Sequence, residues 1–171
     1  MRITTNVDTV IVQLKQYRDN LNEKIHLMLE RLAEIGVETA SVEFKQAQYD
    51  GDNDVVVNTP EWVSDTKLII SATGSSVTFI EFGSGVHYTE QHPKAAEMGA
   101  VRGQYGKGRG SRDTWGYYGN PGTNGVVRKT VKGKGTLVLT HGNPPSRAMY
   151  KAGKNMREAI AEIAQEVFKN D

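Results

Sequence analysis

The sequence predicts an α+β domain: a long N-terminal helix, a small antiparallel sheet carrying a long Gly-rich inserted arm, and a C-terminal helix packed on the sheet. Three observations predict it. Apolar residues recur every three or four positions from Val7 to Ile35, β-branched runs occupy the middle, and a second three-and-four stripe closes the chain. Helices at both ends with strands between them give a segregated α+β layout.

The first helix is predicted from Val7, Val10, Leu14, Tyr17, Leu21, Ile25, Met28, Leu32 and Ile35, which form one apolar stripe. Thr5 or Asn6 can cap its start, and the pattern runs on through Ala40 to Phe44, with Gly36 as its weak point. A helix over 7–44 is about 57 Å long, against a radius of gyration of about 15–16 Å for a compact domain of this size. It therefore bends near Gly36 or projects beyond its own domain, and a projecting stripe needs a cover, most simply a neighbouring copy.

A turn-rich stretch, Tyr49–Asp54, follows. Strands are expected at Val55–Val57, at Lys67–Thr73 and at Ser76–Phe82, the last two joined as a hairpin through Gly74 and Ser75. Ser76–Phe82 has apolar residues on both faces, which suits a central strand. A further strand, Gly135–Thr140, is expected to pair with these, leaving 83–134 as an insertion in a single domain whose core is 1–82 and 135–171. The last helix carries the stripe Met149, Gly153, Met156, Ile160, Ile163 and Val167, with Asn143 as cap before Pro144, or Ser146 as cap one turn later.

Composition narrows the function. With no cysteine, disulfides, thiolate metal sites and thiol nucleophiles are excluded. No apolar run approaches the roughly 20 residues that span a bilayer, and the first residues lack a signal-peptide core, so the expectation is synthesis in the cytosol and no membrane partner. Net charge is +1, but its distribution is uneven: residues 83–134 hold nine basic residues against three acidic, hence +6, which leaves −5 elsewhere. A basic patch on an acidic body implies an acidic or polyanionic partner there.

The search for chemistry finds little. His87 and His92 flank Glu90, but a catalytic zinc needs three protein ligands at suitable spacing. His26 reads as a surface residue and His141 as a hydrogen-bonding or packing one. The glycines of Gly103–Gly110 fail the phosphate-loop pattern, because Gly108 rather than Ser or Thr follows Lys107. Asp50, Asp52 and Asp54 alternate as in a calcium loop, yet Val55 stands where that loop requires glycine, so a solvated turn is expected. The expectation is no catalytic set, no metal, no cofactor and no enzymatic activity.

The arm is the expected contact surface. It contains 12 of the 18 glycines, so it can follow an irregular partner. Its basic and aromatic residues, Tyr88, Arg102, Tyr105, Lys107, Arg109, Arg112, Trp115, Tyr117, Tyr118, Arg128 and Lys132, suit a protein interface first. As the alternative, they suit a nucleic-acid-binding module that works by charge and stacking.

Two motifs carry a resemblance. One is Glu81-Phe82-Gly83-Ser84-Gly85; the other runs from His141 and Gly142 through Asn143, Pro144, Pro145 and Ser146 to Arg147. In this order and spacing the chain resembles the tail-component family of long-tailed phages, also called tail-completion or head–tail joining proteins. Members show an N-terminal helix, a strand ending in Glu-Phe-Gly-Thr-Gly, a Gly-rich loop and a His-Gly-x-Pro turn with an Arg that opens the last helix. Ser84 replaces the Thr here, and Ala148 and Met149 replace the Pro and aromatic residue that often follow the Arg. The resemblance implies a structural virion protein of the tail and neck, assembled in the host cytoplasm. It implies a homo-oligomeric, six-fold ring between head connector and tail-terminator or tail-tube proteins, with double-stranded DNA passing through, and it implies no catalysis. Phe82 is expected to anchor the strand's end in the core, and Gly83 and Gly85 to let the chain leave the sheet through positive φ; Glu81 is either part of this device or a surface residue.

Overall fold

The computed structural model describes residues 7–104, 106 and 111–169. The fold is α+β, with a long N-terminal helix, small antiparallel sheets, and a C-terminal helix that packs against the N-terminal helix and the sheet region.

Helix α1 spans Val7–Gln46, a single element of 40 residues, about 60 Å long. Its cap candidates Thr5 and Asn6 lie outside the described residues. Helix α3 (Ala148–Phe168) runs antiparallel along the C-terminal half of α1. Arg31 pairs with Glu166 at 2.6 Å, Asn155 donates to Thr39 at 3.1 Å, and Lys151 pairs with Glu43 at 2.5 Å. There the stripe is covered by α3 of the same chain rather than by the neighbouring copy expected: Leu32 packs with Ile163 and Val167, flanked by Met28, Ile35 and Met156. Gly36 is no weak point. It is buried, and a Cβ there would stand 2.5 Å from Ile70 Cδ1 and 2.7 Å from Met156 Sδ, so the glycine sets how closely α1 meets its neighbours. The helix resolves the length problem by projecting, because α3 ends where Lys24 lies over the Phe168 ring, and residues 7–23 are exposed throughout.

Residues 56–73 form one long irregular hairpin. Strand β1 (Val56–Val57) pairs with β4 (Ala72–Thr73), and β2 (Glu61–Ser64) with β3 (Lys67–Ile69), both antiparallel. The expected strand 67–73 is therefore two pieces with different partners, and β2 was not foreseen. Pro60 falls at the break between β1 and β2, where it has no N–H to give to a ladder. Trp62 of β2 stacks on His26 of α1 at 4.4 Å, so His26 is a docking point for the hairpin rather than a bare surface residue.

The expected strand Ser76–Phe82 is a helix, α2 (Val77–Phe82). Short apolar runs of this kind do not fix helix or strand by themselves. Here Asp54 decides, 22 residues upstream. Its carboxylate accepts from the Ser75 N–H and hydroxyl (2.7 and 2.8 Å), from the Ser76 N–H (2.9 Å) and from the Ser76 hydroxyl, gathering the N–H groups that open the helix. Ile80 is fully buried with Ala40, Phe44, Ala148 and Ala152, and this cluster ties α2 to both long helices. Burial of Phe44 alone contributes about 2–3 kcal/mol.

These hydrogen bonds hold the Asp54 carboxyl well below the usual carboxylate range; the Ser76 hydroxyl contributes most, then the Ser75 N–H. A depressed native pKa stabilises the fold above the unfolded value and loses that contribution as pH falls. Wild-type protein should therefore lose stability in acid below about pH 4, and Asp54→Asn should flatten that limb of a pH series of urea midpoints. An unchanged acid limb in the variant would place the effect elsewhere.

The remaining sheet corrects the expected topology. Strand β7 (Gly135–Thr140) pairs not with 56–73 but with β5 (Trp115–Tyr118) and β6 (Val126–Val131), in the order β5-β7-β6, all antiparallel. Two strands of this sheet, β5 and β6, thus lie inside the segment expected to be an arm. Val138 and Thr140 point to the buried face; Tyr118, Val126 and Lys129 lie on the other.

Candidate functional site

The two motifs meet and lock together as a clasp. Asn143 and Ser84 exchange backbone hydrogen bonds, Ser84 N–H to the Asn143 carbonyl at 2.8 Å and the reverse at 3.2 Å. The Ser146 N–H donates to the Ile80 carbonyl at 2.8 Å, and the Arg147 N–H to the Glu81 carbonyl at 3.2 Å. Close backbone approach requires the glycines. At Gly142 (φ +95°) a Cβ would strike the Ser84 carbonyl, and at Gly83 (φ +80°) it would come within 2.9 Å of the Asn143 carbonyl and 3.0 Å of Pro145. Gly85 also has positive φ and lies against His141 and Trp115, so both glycines have the expected positive φ, although the chain leaves helix α2 there and not a sheet.

Glu81 is not a surface residue. It is 5% exposed, and its carboxylate accepts the N–H groups of Met149 at 2.9 Å and Tyr150 at 3.1 Å. These are among the first-turn donors of α3 that no helix can satisfy internally. The N-cap position belongs to Arg147, in the left-handed conformation (φ 60°) and without a side-chain cap. Asn143 does not open the helix, and Ser146 stands one residue before the N-cap position, its hydroxyl accepting the Ala148 N–H at 3.3 Å. Glu81 caps it from α2 instead, and its negative charge suits a helix N-terminus. The Arg147 guanidinium reaches the Gln91 carbonyl at 3.0 Å, drawing the loop after Gly85 onto the same point.

His92 completes the cluster. It is 4% exposed, and its Nε2 lies 3.1 Å from Glu81 Oε1. Because its Nδ1 accepts from the Lys94 N–H at 3.0 Å, the network assigns the neutral Nε2–H tautomer, a hydrogen bond to Glu81 rather than an ion pair. Phe82 and Tyr150 pack edge-on to the ring. Phe82 is thus half-buried against His92, closing a helix rather than a strand. His87 points elsewhere, 3.6 Å from Asp113. Among the described residues no three His, Asp or Glu gather as a metal site.

Asn143 is the second anchor. Its side-chain oxygen accepts from the Asp50 N–H at 2.9 Å and from the Asn124 amide at 3.0 Å; its amide donates to Ser84 Oγ at 3.1 Å and to Asp50 Oδ1. The turn Tyr49–Asp54 is therefore more than solvated. Asp50 binds Asn143, Asp52 takes the Asn120 amide at 2.6 Å, and Asp54 holds α2. Tyr117 sits over this acidic turn with its hydroxyl donated to the Asn120 carbonyl at 2.8 Å, and burial, then Asp50, Tyr49 and Asp52, push its pKa up to about 12. That contribution to stability is complete below about pH 10 and is lost as pH rises towards the raised value.

The expected arm residues separate into three groups. Trp115, Tyr117 and Tyr118 are on β5, Arg128 on β6 and Lys132 in the turn after it; Tyr88 is half-buried, and Arg102 and Arg112 are exposed. Tyr105, Lys107 and Arg109 lie outside the described residues. His141 is exposed, with Nδ1 2.9 Å from Thr114 Oγ1, while Pro144 and Pro145 form the half-buried turn of the clasp. Asn143, Asn124 and the three aspartates were missed as a group, since nothing local in their spacing marks them.

No family model, curated protein or solved structure matches the chain.

Proposed function

We propose that this chain is a ring-forming structural subunit that completes the tail of a long-tailed phage and joins it to the head. In this reading copies of the chain form a closed homo-oligomer between the head connector and the tail-terminator or tail-tube proteins, in the virion. One observation carries the reading. Residues 7–23 of α1 project about 25 Å with Val7, Val10, Leu14, Tyr17 and Leu21 exposed. Their spacing of three, four, three and four is that of a seam that faces another helix. The same stripe is covered lower down by α3, so it is a packing surface whose upper half lacks a partner within the chain. About half of each side chain remains to be buried, which contributes roughly 1 kcal/mol apiece on association.

The clasp adds support from the motifs. Glu81 and Gly142 serve the junction of α2, α3 and β7, so the residues that carry the family resemblance hold the body from which α1 projects.

Leu14 and Tyr17 are 63% and 65% exposed, so charge there leaves the folded body intact. Leu14→Glu with Tyr17→Glu should convert a discrete oligomer into monomers by native mass spectrometry, with unchanged helical circular dichroism. A wild-type protein that stays monomeric at high concentration would sink the proposal.

A further inference from the structure

We infer that the β6–β7 hairpin is a contact for the phosphate backbone of a nucleic-acid duplex. From Thr114 to Arg157 the sequence contains no acidic residue, so no carboxylate lies on any strand of this sheet. Within that stretch Arg128, Lys129, Lys132 and Lys134 fall on one hairpin, all exposed. None of their side chains has a hydrogen bond or ion pair with a described residue. Elsewhere some cations pair, Arg31 with Glu166, Lys94 with Glu97 and Lys151 with Glu43, while others such as Lys15, Lys45 and Lys67 do not among the described residues; what sets the hairpin apart is four such cations together with no acidic residue among its neighbours in sequence.

Protection of a sheet edge explains part of this pattern. β6 is an edge strand with a bulge between Val127 and Lys129, and lysine with a bulge keeps edges from pairing. Lys132 and Lys134 lie beyond the strand, at the turn closed by Lys134 N–H to the Val131 carbonyl, where there is no ladder to protect. Their composition also decides between partner classes. Protein interfaces are depleted in lysine and enriched in aromatic residues, and the segment Val126–Gly135 has three lysines, an arginine and no aromatic. Phosphate contact takes such cations and reads no sequence, and a two-stranded ribbon is of a size that enters the major groove. The inference does not rest on the ring reading, because a single copy carries the whole hairpin.

The test measures binding of a short fluorescent duplex of mixed sequence across a salt series, with oligomeric state recorded on the same samples. The wild type should bind, and log K should fall linearly with log salt. Replacing Arg128, Lys129, Lys132 and Lys134 together by Gln should lower the slope by about 0.9 per contact, so by about 3–4 in all. Arg102→Gln with Arg112→Gln should leave the slope unchanged. If the fourfold variant misfolds by circular dichroism, Lys132→Gln with Lys134→Gln carries the test, with an expected drop of about 2. The inference is overturned if the wild type does not bind at low salt, if the hairpin variants keep the wild-type slope, or if the loss follows Arg102 and Arg112. Tighter binding to polyglutamate than to the duplex would also overturn it, in favour of an acidic protein. An oligomer that binds no duplex defeats this inference and leaves the ring reading standing; a monomer that binds does the reverse.

Discussion

Glu81→Ala should destabilise the protein by about 4 kcal/mol, a large part of the roughly 5–15 kcal/mol that keeps a domain folded. The carboxylate is buried and accepts from Met149 N–H, Tyr150 N–H and His92 Nε2–H. Alanine strands all three donors where water enters poorly, and each stranded donor costs about 1–3 kcal/mol. Partial rehydration of the new cavity keeps the total below the sum. The melting temperature should fall by roughly 8–16 °C for a chain of this length. Glu81→Gln keeps one acceptor but turns an NH2 group toward donors, so it should lose about half as much. Glu97→Ala provides the comparison, because the exposed pair of Glu97 with Lys94 at 2.6 Å contributes little. Urea midpoints check all three variants, and a Glu81→Ala protein within about 0.5 kcal/mol of wild type would remove the cap from the account. Loss should also reach beyond α3. His92, which Glu81 holds, positions the loop between Gly85 and Ala100, so amide exchange there should rise with that of the first turn of α3.

The two long helices were legible because their signal is local and repeated: nine apolar positions on α1 lie at helical spacing, and no distant residue is needed to interpret them. Ser76–Phe82 was not legible as a helix, because β-branched and aromatic residues alternate there and the group that starts the helix, Asp54, lies in another element. The sheet of β5, β6 and β7 was hidden for a different reason. One of its faces is open, so β6 shows no buried alternation, and glycines before and between its strands resemble those of a flexible arm. The motif residues could be named, but not that they touch. Contact between Ser84 and Gly142 bridges 58 positions and is visible in sequence only as two glycine-rich turns. Glu81 likewise looks like any strand-end carboxylate until the N-terminus of α3 is set beside it.

The second large effect is expected at Asn143, where the argument turns on donors and acceptors. The residue is 1% exposed and joins four segments: the turn at Asp50, the clasp at Ser84, the loop at Asn124 and the end of β7. Asn143→Ala leaves the Asp50 N–H without an acceptor and Asp50 Oδ1 without a donor, and takes from the Asn124 amide one of its two acceptors, the Gly142 carbonyl remaining, at a cost of about 3 kcal/mol. Asn143→Asp is nearly isosteric and keeps the acceptor, so the Asp50 N–H and Asn124 remain satisfied. It replaces the amide donor with a second carboxylate facing Asp50. Two carboxylates in one site retain a proton to higher pH than either alone. For that variant the native pKa of the pair lies above its unfolded value, so the pair's contribution is present at low pH and lost as pH rises. Relative to Asn143→Ala, Asn143→Asp should therefore gain stability as pH falls from about 7 to about 4. The acid loss caused by Asp54 is common to both variants and cancels in that difference. In both, amide exchange should increase together in 49–54 and 119–125, because Thr123 N–H binds the Tyr49 carbonyl at 2.8 Å and the two loops are held as one unit. A difference between the variants that does not change with pH would mean that Asn143 and Asp50 do not share a proton-sensitive contact. Release of only one loop would mean that the clasp is held by Glu81 alone.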